Sequence, residues 1–191
     1  MGYGLPKSVD IEGETFEIRY DFRVILEILE ALNDPELSDT DRALAVLQMF
    51  YINWEELPDF EKAIAECMTF INGGTSEREE KKQPKLVDWQ QDFQHIVAPI
   101  NRVLGYEVRV VEYDMETNTG GVHWWTFLAA YYEIGDCFFA QIVRIRSKKA
   151  SGQKLDKADR EFYRKNREII DIKTRYSETE DDLLKVWTGR K

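Results

Sequence analysis

The sequence is poor in the residue types that build metal sites and disulfides. Its 191 residues include two cysteines and two histidines. His95 and His123 have no Cys, Asp or Glu partner at a metal-ligand spacing such as H-x-x-x-H or C-x-x-C. Cys67 and Cys137 lie within apolar helical patterns, which predicts buried, reduced thiols and a cytoplasmic protein. These shortages argue against a zinc site and a disulfide-stabilised fold.

Sequence motifs for catalysis are also lacking. There is no G-x-S-x-G motif and no phosphate-binding glycine loop, because the glycine pairs at 73–74 and 120–121 are typical of turns. The segment Asp114-x-Glu116-x-Asn118 resembles the start of an EF-hand loop. Its glycine stands at Gly120 rather than at the sixth position, and no Glu follows at the twelfth. We therefore predict no catalytic residue, no metal and no cofactor, and do not expect an enzyme.

No stretch of the sequence has the length and apolarity of a membrane span. The N-terminal residues M-G-Y-G-L-P-K-S contain no apolar run of the kind found in secretory signals. The most apolar stretch, residues 122–149, is interrupted by Glu133, Asp136 and Gln141, whereas a span needs about 20 mostly apolar residues. No membrane partner is expected.

The charge is unevenly distributed along a chain whose composition indicates a folded protein. Apolar residues make up 43% and aromatic residues 13%, and the net charge is −10, which argues against a general nucleic-acid-binding protein. Residues 141–175 contain twelve Lys or Arg and five Asp or Glu, a net +7 that leaves −17 for the rest. A basic helical region on an acidic body could favour self-association or an acidic partner. Ordinary solvated helix faces explain the same pattern.

Residues 122–149 form the stretch around which the rest of the chain is predicted to pack. Apolar side chains recur there at spacings of three and four, which predicts one long core helix. Gly135 in its middle is expected to let another helix approach closely. Four basic side chains follow near the helix C-terminus, where the dipole favours positive charge, namely Arg144, Arg146, Lys148 and Lys149.

Residues 1–71 are predicted to form an N-terminal part with a β-hairpin and three helices. A turn at Glu12-Gly13 would pair Ile11 with Glu14 and Val9 with Phe16, which places the apolar side chains on one face. Helix starts are predicted at Asp21, around Ser38 and at Pro58-Asp59. The helix that starts near Ser38 is expected to extend to Trp54.

Residues 72–87 include a charged run without apolar residues and are predicted to be a linker between two lobes. The second lobe, residues 88–176, begins with a helix at Asp88 that Pro99 should kink. It continues with a short extended piece around Val108 and ends with a basic helix capped at Asp156. Residues 177–191 are predicted to form a short terminal helix. The predicted fold is mostly α, a multi-helix bundle with an N-terminal β-hairpin.

Two groups of residues are candidates for binding a partner. His123-Trp124-Trp125 could stack on a nucleic-acid base, but its place at the start of an apolar helix favours a structural anchor. Arg144, Arg146, Lys148 and Lys149 could form an interaction edge, and replacing Arg146 and Lys149 by Glu is then expected to weaken binding without loss of thermal stability. The candidate partner-binding residues are Trp124, Trp125, Arg144, Arg146, Lys148 and Lys149.

Four segments together resemble the siphophage tail-region family known only as "gene product fifteen". They are L-P-K-S-V-D-I-E-G-E-T-F-E-I-R-Y-D-F-R at residues 5–23, D-W-Q-Q-D-F-Q-H-I-V-A-P-I-N-R-V-L-G-Y-E-V at 88–108, V-H-W-W-T-F-L at 122–128 and I-G-D-C-F-F-A-Q-I-V-R-I-R at 134–146. The resemblance covers roughly residues 5–175, and the combination of H-W-W-x-F with I-V-x-I-R is its most specific part. Residues 114–121 look like an insertion.

The resemblance implies a role in the assembly of a phage tail in the cytoplasm of the bacterial host. By gene position, members of the family resemble tail assembly chaperones, which hold the apolar tape measure protein while the tail polymerises. Tape measure and other tail proteins are therefore the expected partners, and self-association is a further option. A structural or completion component of the virion tail and a nucleic-acid-related regulator are the alternatives.

Overall fold

The computed structural model describes residues 4–75 and 84–174 and confirms a mostly α fold with an N-terminal β-hairpin. Single 3-10 turns occupy Trp54–Glu56 and Val108–Val110. The strands and helices of the described ranges are, in order, β1 (Ser8–Ile11), β2 (Glu14–Glu17), α1 (Phe22–Leu32), α2 (Asp39–Phe50), α3 (Phe60–Ile71), α4 (Trp89–Leu104), β3 (Tyr113–Asp114), β4 (Thr119–Gly120), α5 (Trp124–Tyr132), α6 (Phe138–Ala150) and α7 (Lys157–Ile170).

The N-terminal hairpin has the predicted register. Ile11 pairs with Glu14 and Val9 pairs with Phe16. Both turn residues adopt positive φ angles, 57° at Glu12 and 88° at Gly13, as a two-residue turn that matches the twist of the strands requires. Since two strands alone are marginal in water, the hairpin depends on the burial of Ile11 and Phe16 against the helices.

Side-chain caps begin the helices at the predicted positions. The side chains of Asp21, Ser38, Asp59 and Asp156 each accept a hydrogen bond from a backbone N–H in the first turn of the helix that follows. Such a bond satisfies a donor that has no partner within the helix, and losing it typically costs about 1 kcal/mol. The second helix ends at Phe50, however, before Trp54.

The prediction of one core helix over residues 122–149 is wrong, because this segment forms two helices, α5 and α6. The chain leaves helical geometry after Tyr132 and re-enters it at Phe138. Gly135 adopts φ +60°, and a Cβ added there would meet nothing within 4 Å. The glycine therefore serves a turn rather than a close helix–helix approach. The Sγ atom of Cys137 then accepts the N–H of Ala140 at 3.4 Å and caps α6.

Two smaller predictions are also corrected by the structure. The piece around Val108 is a 3-10 turn rather than an extended segment. The loop that follows it is a second small hairpin, in which Tyr113 pairs with Gly120 and Asp114 with Thr119. Within the described parts of the chain, no helix is long and apolar enough to cross a membrane.

Buried side chains from both halves of the chain belong to one hydrophobic cluster. Helix α1 contacts both α4 and α5, so the two predicted lobes share apolar packing. Their division into separate lobes stays a prediction. Residues 76–83 of the predicted linker and the predicted terminal helix at 177–191 lie outside the described residues.

Candidate partner-binding site

A cleft of about 490 Å³ opens between α1 and the start of α4. This volume falls in the range of binding pockets. Its walls are mainly apolar, with polar side chains among the lining residues. The cleft is lined by Leu26, Leu29, Glu30, Asn33, Lys85, Val87, Asp88, Trp89, Gln90 and Phe93.

The two walls of the cleft follow from helical periodicity. On α1, Ile25 and Ile28 are buried, while Leu26 and Leu29 are partly exposed to the cleft. The first turns of α4 contribute aromatic side chains to the opposite wall. Apolar residues are therefore arranged on more of each helix than the core alone covers, which leaves apolar surface available to a partner.

Aromatic contacts support the cleft from beneath. The ring of Phe93 lies 6.4 Å from that of Phe22, and Phe22 stacks on Phe127 with centroids 4.6 Å apart. On the other side, Trp89 contacts Trp124 at 5.9 Å and Tyr131 at 5.0 Å. Ring pairs at these separations add stability beyond their buried area. The cleft wall is thus continuous with the core of the protein.

The two tryptophans of the H-W-W motif fasten α5 to the C-terminus of α3. The indole Nε1 of Trp124 donates to the carbonyl oxygen of Ile71 at 2.8 Å, and that of Trp125 donates to Phe70 at 2.8 Å. Trp124 is buried, and Trp125 stacks on the Phe70 ring. Both carbonyl oxygens lie in the last turn of α3, where the regular helical bonds end, and that of Phe70 also accepts the N–H of Gly73 at 3.0 Å. In this conformation Trp124 is a structural anchor and offers no face to a nucleic-acid base.

His123 caps α5 with one ring nitrogen and binds the N-terminal segment with the other. Nδ1 accepts the N–H of Trp125 at 3.0 Å, while Nε2 lies 2.8 Å from the carbonyl oxygen of Pro6, to which it donates as Nε2–H. This arrangement needs the neutral ring with its proton on Nε2. Burial lowers the pKa of His123, which keeps the ring neutral.

Asp21 joins the start of α1 to the strand-like segment before α5. Its carboxylate accepts the N–H groups of Arg23 at 3.0 Å and Val122 at 2.7 Å. Burial raises the pKa of Asp21 despite these bonds. A Cβ at Gly121, which adopts φ +73°, would lie 2.3 Å from the Asp21 carboxylate. Glycine is therefore required at position 121 on two grounds, its conformation and the space beside it.

Arg146 is buried and fixes the start of α4, which corrects its prediction as part of an exposed interaction edge. Its guanidinium forms a two-point pair with Asp92, at 2.6 and 2.9 Å. It also donates to the carbonyl oxygens of Leu86, Ile169 and Ile170. Arginine suits this position because its planar group can serve several acceptors at once. The residue stabilises the cleft wall from behind and is not available to a partner.

The other three basic candidates bind carboxylates of α7 and the residue after it. Arg144 contacts Asp159 at 2.8 Å, and Lys148 contacts the same carboxylate at 2.5 Å. Lys149 pairs with Asp171 at 2.5 Å. The hydrogen bond from Lys148 lowers the pKa of Asp159. All three cations keep part of their surface in solvent, so their role in binding a partner stays a prediction.

Sequence reasoning missed Asp92, although a signal was present. Asp92 interrupts the apolar spacing of the helix that begins at Asp88, as Arg146 interrupts that of the predicted core helix. A charged residue on an apolar face needs a partner of opposite charge when it is buried. The sequence gives no signal that Leu26, Leu29 and Phe93 are partly exposed, because apolar residues of the core and of the cleft follow the same helical spacing.

In the described ranges, no group of three or more His, Cys, Asp or Glu side chains is arranged to hold a metal ion. The segment Asp114–Asn118 that resembled an EF-hand start belongs to the β3–β4 hairpin, and the Asp114 carboxylate accepts the N–H groups of Glu116 and Thr117. Cys67 is buried, and burial raises the pKa of its thiol.

Segments that carry the family resemblance meet around the cleft. Trp89 and Phe93 line it, Trp124 supports it from the core, and Arg146 holds the helix that forms its wall. No curated protein and no solved structure matches the chain. The family model described as "Bacteriophage Gp15 protein" matches residues 3–172. The chain therefore belongs to the bacteriophage Gp15 protein family.

Proposed function

We propose that this bacteriophage protein is a tail assembly chaperone that acts without catalysis in the cytoplasm of the host. In this role it holds an apolar helical segment of the tape measure protein in the cleft between α1 and α4. The observation that carries the proposal is the apolar cleft itself, whose lining includes the partly exposed side chains of Leu26, Leu29, Trp89 and Phe93.

The chemistry of the cleft suits an amphipathic helix better than a small polar ligand. Its two walls are helices, and an apolar helix face can lie between them as in other helix-in-groove complexes. Glu30 and Lys85 stand among the lining residues, where they can orient the polar side of a bound segment. The net charge of −10 would keep a complex with an apolar client in solution.

Co-expression with the tape measure protein of the same genome tests the proposal. We expect affinity capture to recover a soluble complex, with the tape measure protein insoluble when it is expressed alone. A photo-crosslinking amino acid at Gln90, which lines the cleft, should form a crosslink to the tape measure protein. The same amino acid at Leu44, which is exposed on α2 away from the cleft, serves as the matched control.

A charged residue in the cleft provides a second test. Leu29→Asp is expected to reduce recovery of the complex at least about tenfold, since the charge would have to be buried against an apolar segment. Leu44→Asp should leave recovery unchanged, and both variants are checked by thermal unfolding. Absence of any complex, together with presence of the protein in purified virions, would replace the chaperone role by that of a tail component.

A further inference from the structure

The described chain is divided into an acidic and a basic part. Residues 4–71 contain five Lys or Arg and sixteen Asp or Glu, a net charge of −11. Residues 141–174 contain eleven Lys or Arg and five Asp or Glu, a net charge of +6. No ion pair between described residues joins the first group to the second. The two parts therefore do not neutralise each other within one molecule.

Carboxylates surround an exposed aromatic side chain in the acidic part. Phe60, which is 47% exposed, lies 6.4 Å from the partly buried ring of Trp54. The nearby base Lys62 is already bound to Glu12 and Asp59. Three exposed carboxylates around these rings make no ion pair with a described residue. We call this surface the acidic patch, formed by Trp54, Glu55, Glu56, Phe60 and Glu61.

On α7, the exposed side chains without an ion-pair partner among the described residues are mainly cations. Its carboxylate Asp159, and Asp171 directly after the helix, are bound by the cations of α6 and by Arg167. Four other cations of the helix are exposed and make no ion pair with a described residue, although Glu161 and Glu168 lie among them. Beside the helix, Phe138 is 41% exposed and contacts Phe162 at 5.5 Å. We call this surface the basic face, formed by Lys157, Arg160, Arg164, Lys165 and Phe138.

We propose that the acidic patch of one molecule binds the basic face of a second copy. Each surface has an exposed phenylalanine among charges, and the charges are of opposite sign, which matches the apolar centre and polar rim of protein interfaces. In the proposed head-to-tail contact, a molecule uses its acidic patch toward one neighbour and its basic face toward another. Each added copy leaves one free surface at each end, so association produces rings or short filaments rather than a closed symmetric dimer.

A protein partner suits the basic face better than a nucleic acid. The basic face contains two acidic side chains among its cations and belongs to a molecule of net charge −10. A polyanion attracted to α7 would be repelled by the larger acidic part. A second copy instead brings an acidic patch, whose charge is opposite to that of the basic face.

Analytical ultracentrifugation of the full chain at about 50 mM and about 500 mM NaCl tests the contact. We expect a series of assemblies at low salt that dissociate at high salt, because the Debye length falls as salt is added. Arg160→Glu with Arg164→Glu should weaken association at least about tenfold, and so should Glu55→Lys with Glu56→Lys. Glu112→Lys with Glu116→Lys changes the net charge as the Glu55/Glu56 pair does, but outside both surfaces, and should leave association unchanged.

Mixing the two defective variants distinguishes head-to-tail contact from other modes. The Arg160/Arg164 variant retains its acidic patch, and the Glu55/Glu56 variant retains its basic face. An equimolar mixture should associate again, because each surface of one variant then meets a surface of opposite charge on the other. A chain with all four substitutions should associate for the same reason. Each variant is also checked for an unchanged melting temperature.

Three results would overturn the proposal. The protein could remain monomeric at low salt, or form an assembly that neither pair of substitutions alters. A monomeric protein could instead bind a short DNA duplex through Arg160 and Arg164, which would assign the basic face to nucleic acid. The test does not depend on the cleft, since the photo-crosslinks at Gln90 report on the tape measure protein separately.

Discussion

Two buried carboxylates on different helices are neutralised in different ways. Asp92 on α4 and Asp159 on α7 each expose 1% of their side chain or less. The partner of Asp92 is Arg146, which is buried as well. The partners of Asp159 are Arg144 and Lys148, whose side chains are 56% and 27% exposed. The two sites therefore share an anion in the interior and differ in where the cation stands.

The difference shows why basic residues of one helix have different roles. Arg146 is withdrawn from water, so its charge is compensated by Asp92 and by three carbonyl oxygens from other segments. Arg144 and Lys148 remain hydrated, and water screens their attraction to Asp159. Removing Arg146 leaves Asp92 unpaired in the interior, whereas removing Arg144 leaves Asp159 still bound to Lys148.

The largest effect is expected for Arg146→Ala. Breaking a buried ion pair leaves Asp92 uncompensated, which should lower the free energy of unfolding by about 3–5 kcal/mol. This expectation replaces the prediction that reversing Arg146 and Lys149 together leaves thermal stability unchanged. Chemical denaturation measures the loss, and Arg144→Ala on the same helix is the matched control with an expected loss below about 1 kcal/mol.

Replacing the whole pair sharpens this comparison. Asp92→Leu combined with Arg146→Met should recover part of the loss, because apolar residues of similar volume do not leave an unpaired charge. Recovery stays incomplete, since the carbonyl oxygens that Arg146 binds and the N–H of Asp88 that Asp92 binds lose their partner. Equal losses in Arg146→Ala and Arg144→Ala would contradict the difference between the two sites.

The sequence predicts features that depend on neighbouring residues better than features that depend on residues far away along the chain. The hairpin register and the helix caps were predictable, because they depend on neighbours within a few residues. The break at Gly135 was not, since the apolar spacing continues across it and only the left-handed conformation of one glycine reveals it.

The candidate site was harder to predict than the fold. Arg144 and Arg146 are two residues apart and have the same side chain, yet one is exposed and the other is buried. Their difference comes from Asp92, 54 positions away from Arg146. Local spacing contains no information about such a pair, so the sequence predicted a single basic edge where the structure has one core residue and three partly exposed ones.

The next largest loss of stability is expected for His123→Ala, and this loss should depend on pH. His123→Ala removes the cap of α5 and a stacked ring, and should cost about 1–2 kcal/mol at neutral pH. Burial lowers the pKa of His123 below its ordinary 6.5. The unfolded chain therefore takes up a proton before the folded chain does, so stability is complete above that pH and falls below it.

Denaturation at about pH 7.5 and about pH 5.5 measures this contribution. The wild type should lose stability over the interval, and His123→Ala should lose less because it has no ring to protonate. The raised pKa of Asp21 has the opposite sign and is present in both proteins. Equal slopes for the two proteins would mean that folding does not lower the pKa of His123.

The stability that Asp159 contributes should be lost at a lower pH than the stability that His123 contributes. Its pKa lies below the ordinary 3.8, chiefly through the hydrogen bond from Lys148. The stability it contributes is present above that value and lost as the pH falls through the folded pKa. Asp159→Asn should cost about 1 kcal/mol at neutral pH, since its cations are partly hydrated, and should reduce the slope below about pH 4. Thermal unfolding measured from neutral to acidic pH checks this, and a slope equal to that of the wild type would reject the assignment.

The smallest effect is expected for Lys149→Ala, although Lys149 contacts both Tyr163 and Asp171. Its ammonium pairs with Asp171 and lies 4.1 Å from the centre of the Tyr163 ring. Both charged side chains are 38% exposed, so water already satisfies them when the pair is broken, and Lys149→Ala should cost less than about 0.5 kcal/mol. The loss should vanish at high salt, whereas that of Arg146→Ala should persist because salt does not reach a buried pair. A salt-independent loss at Lys149 would mean that its contact with the Tyr163 ring, rather than its charge pair, stabilises the end of α7.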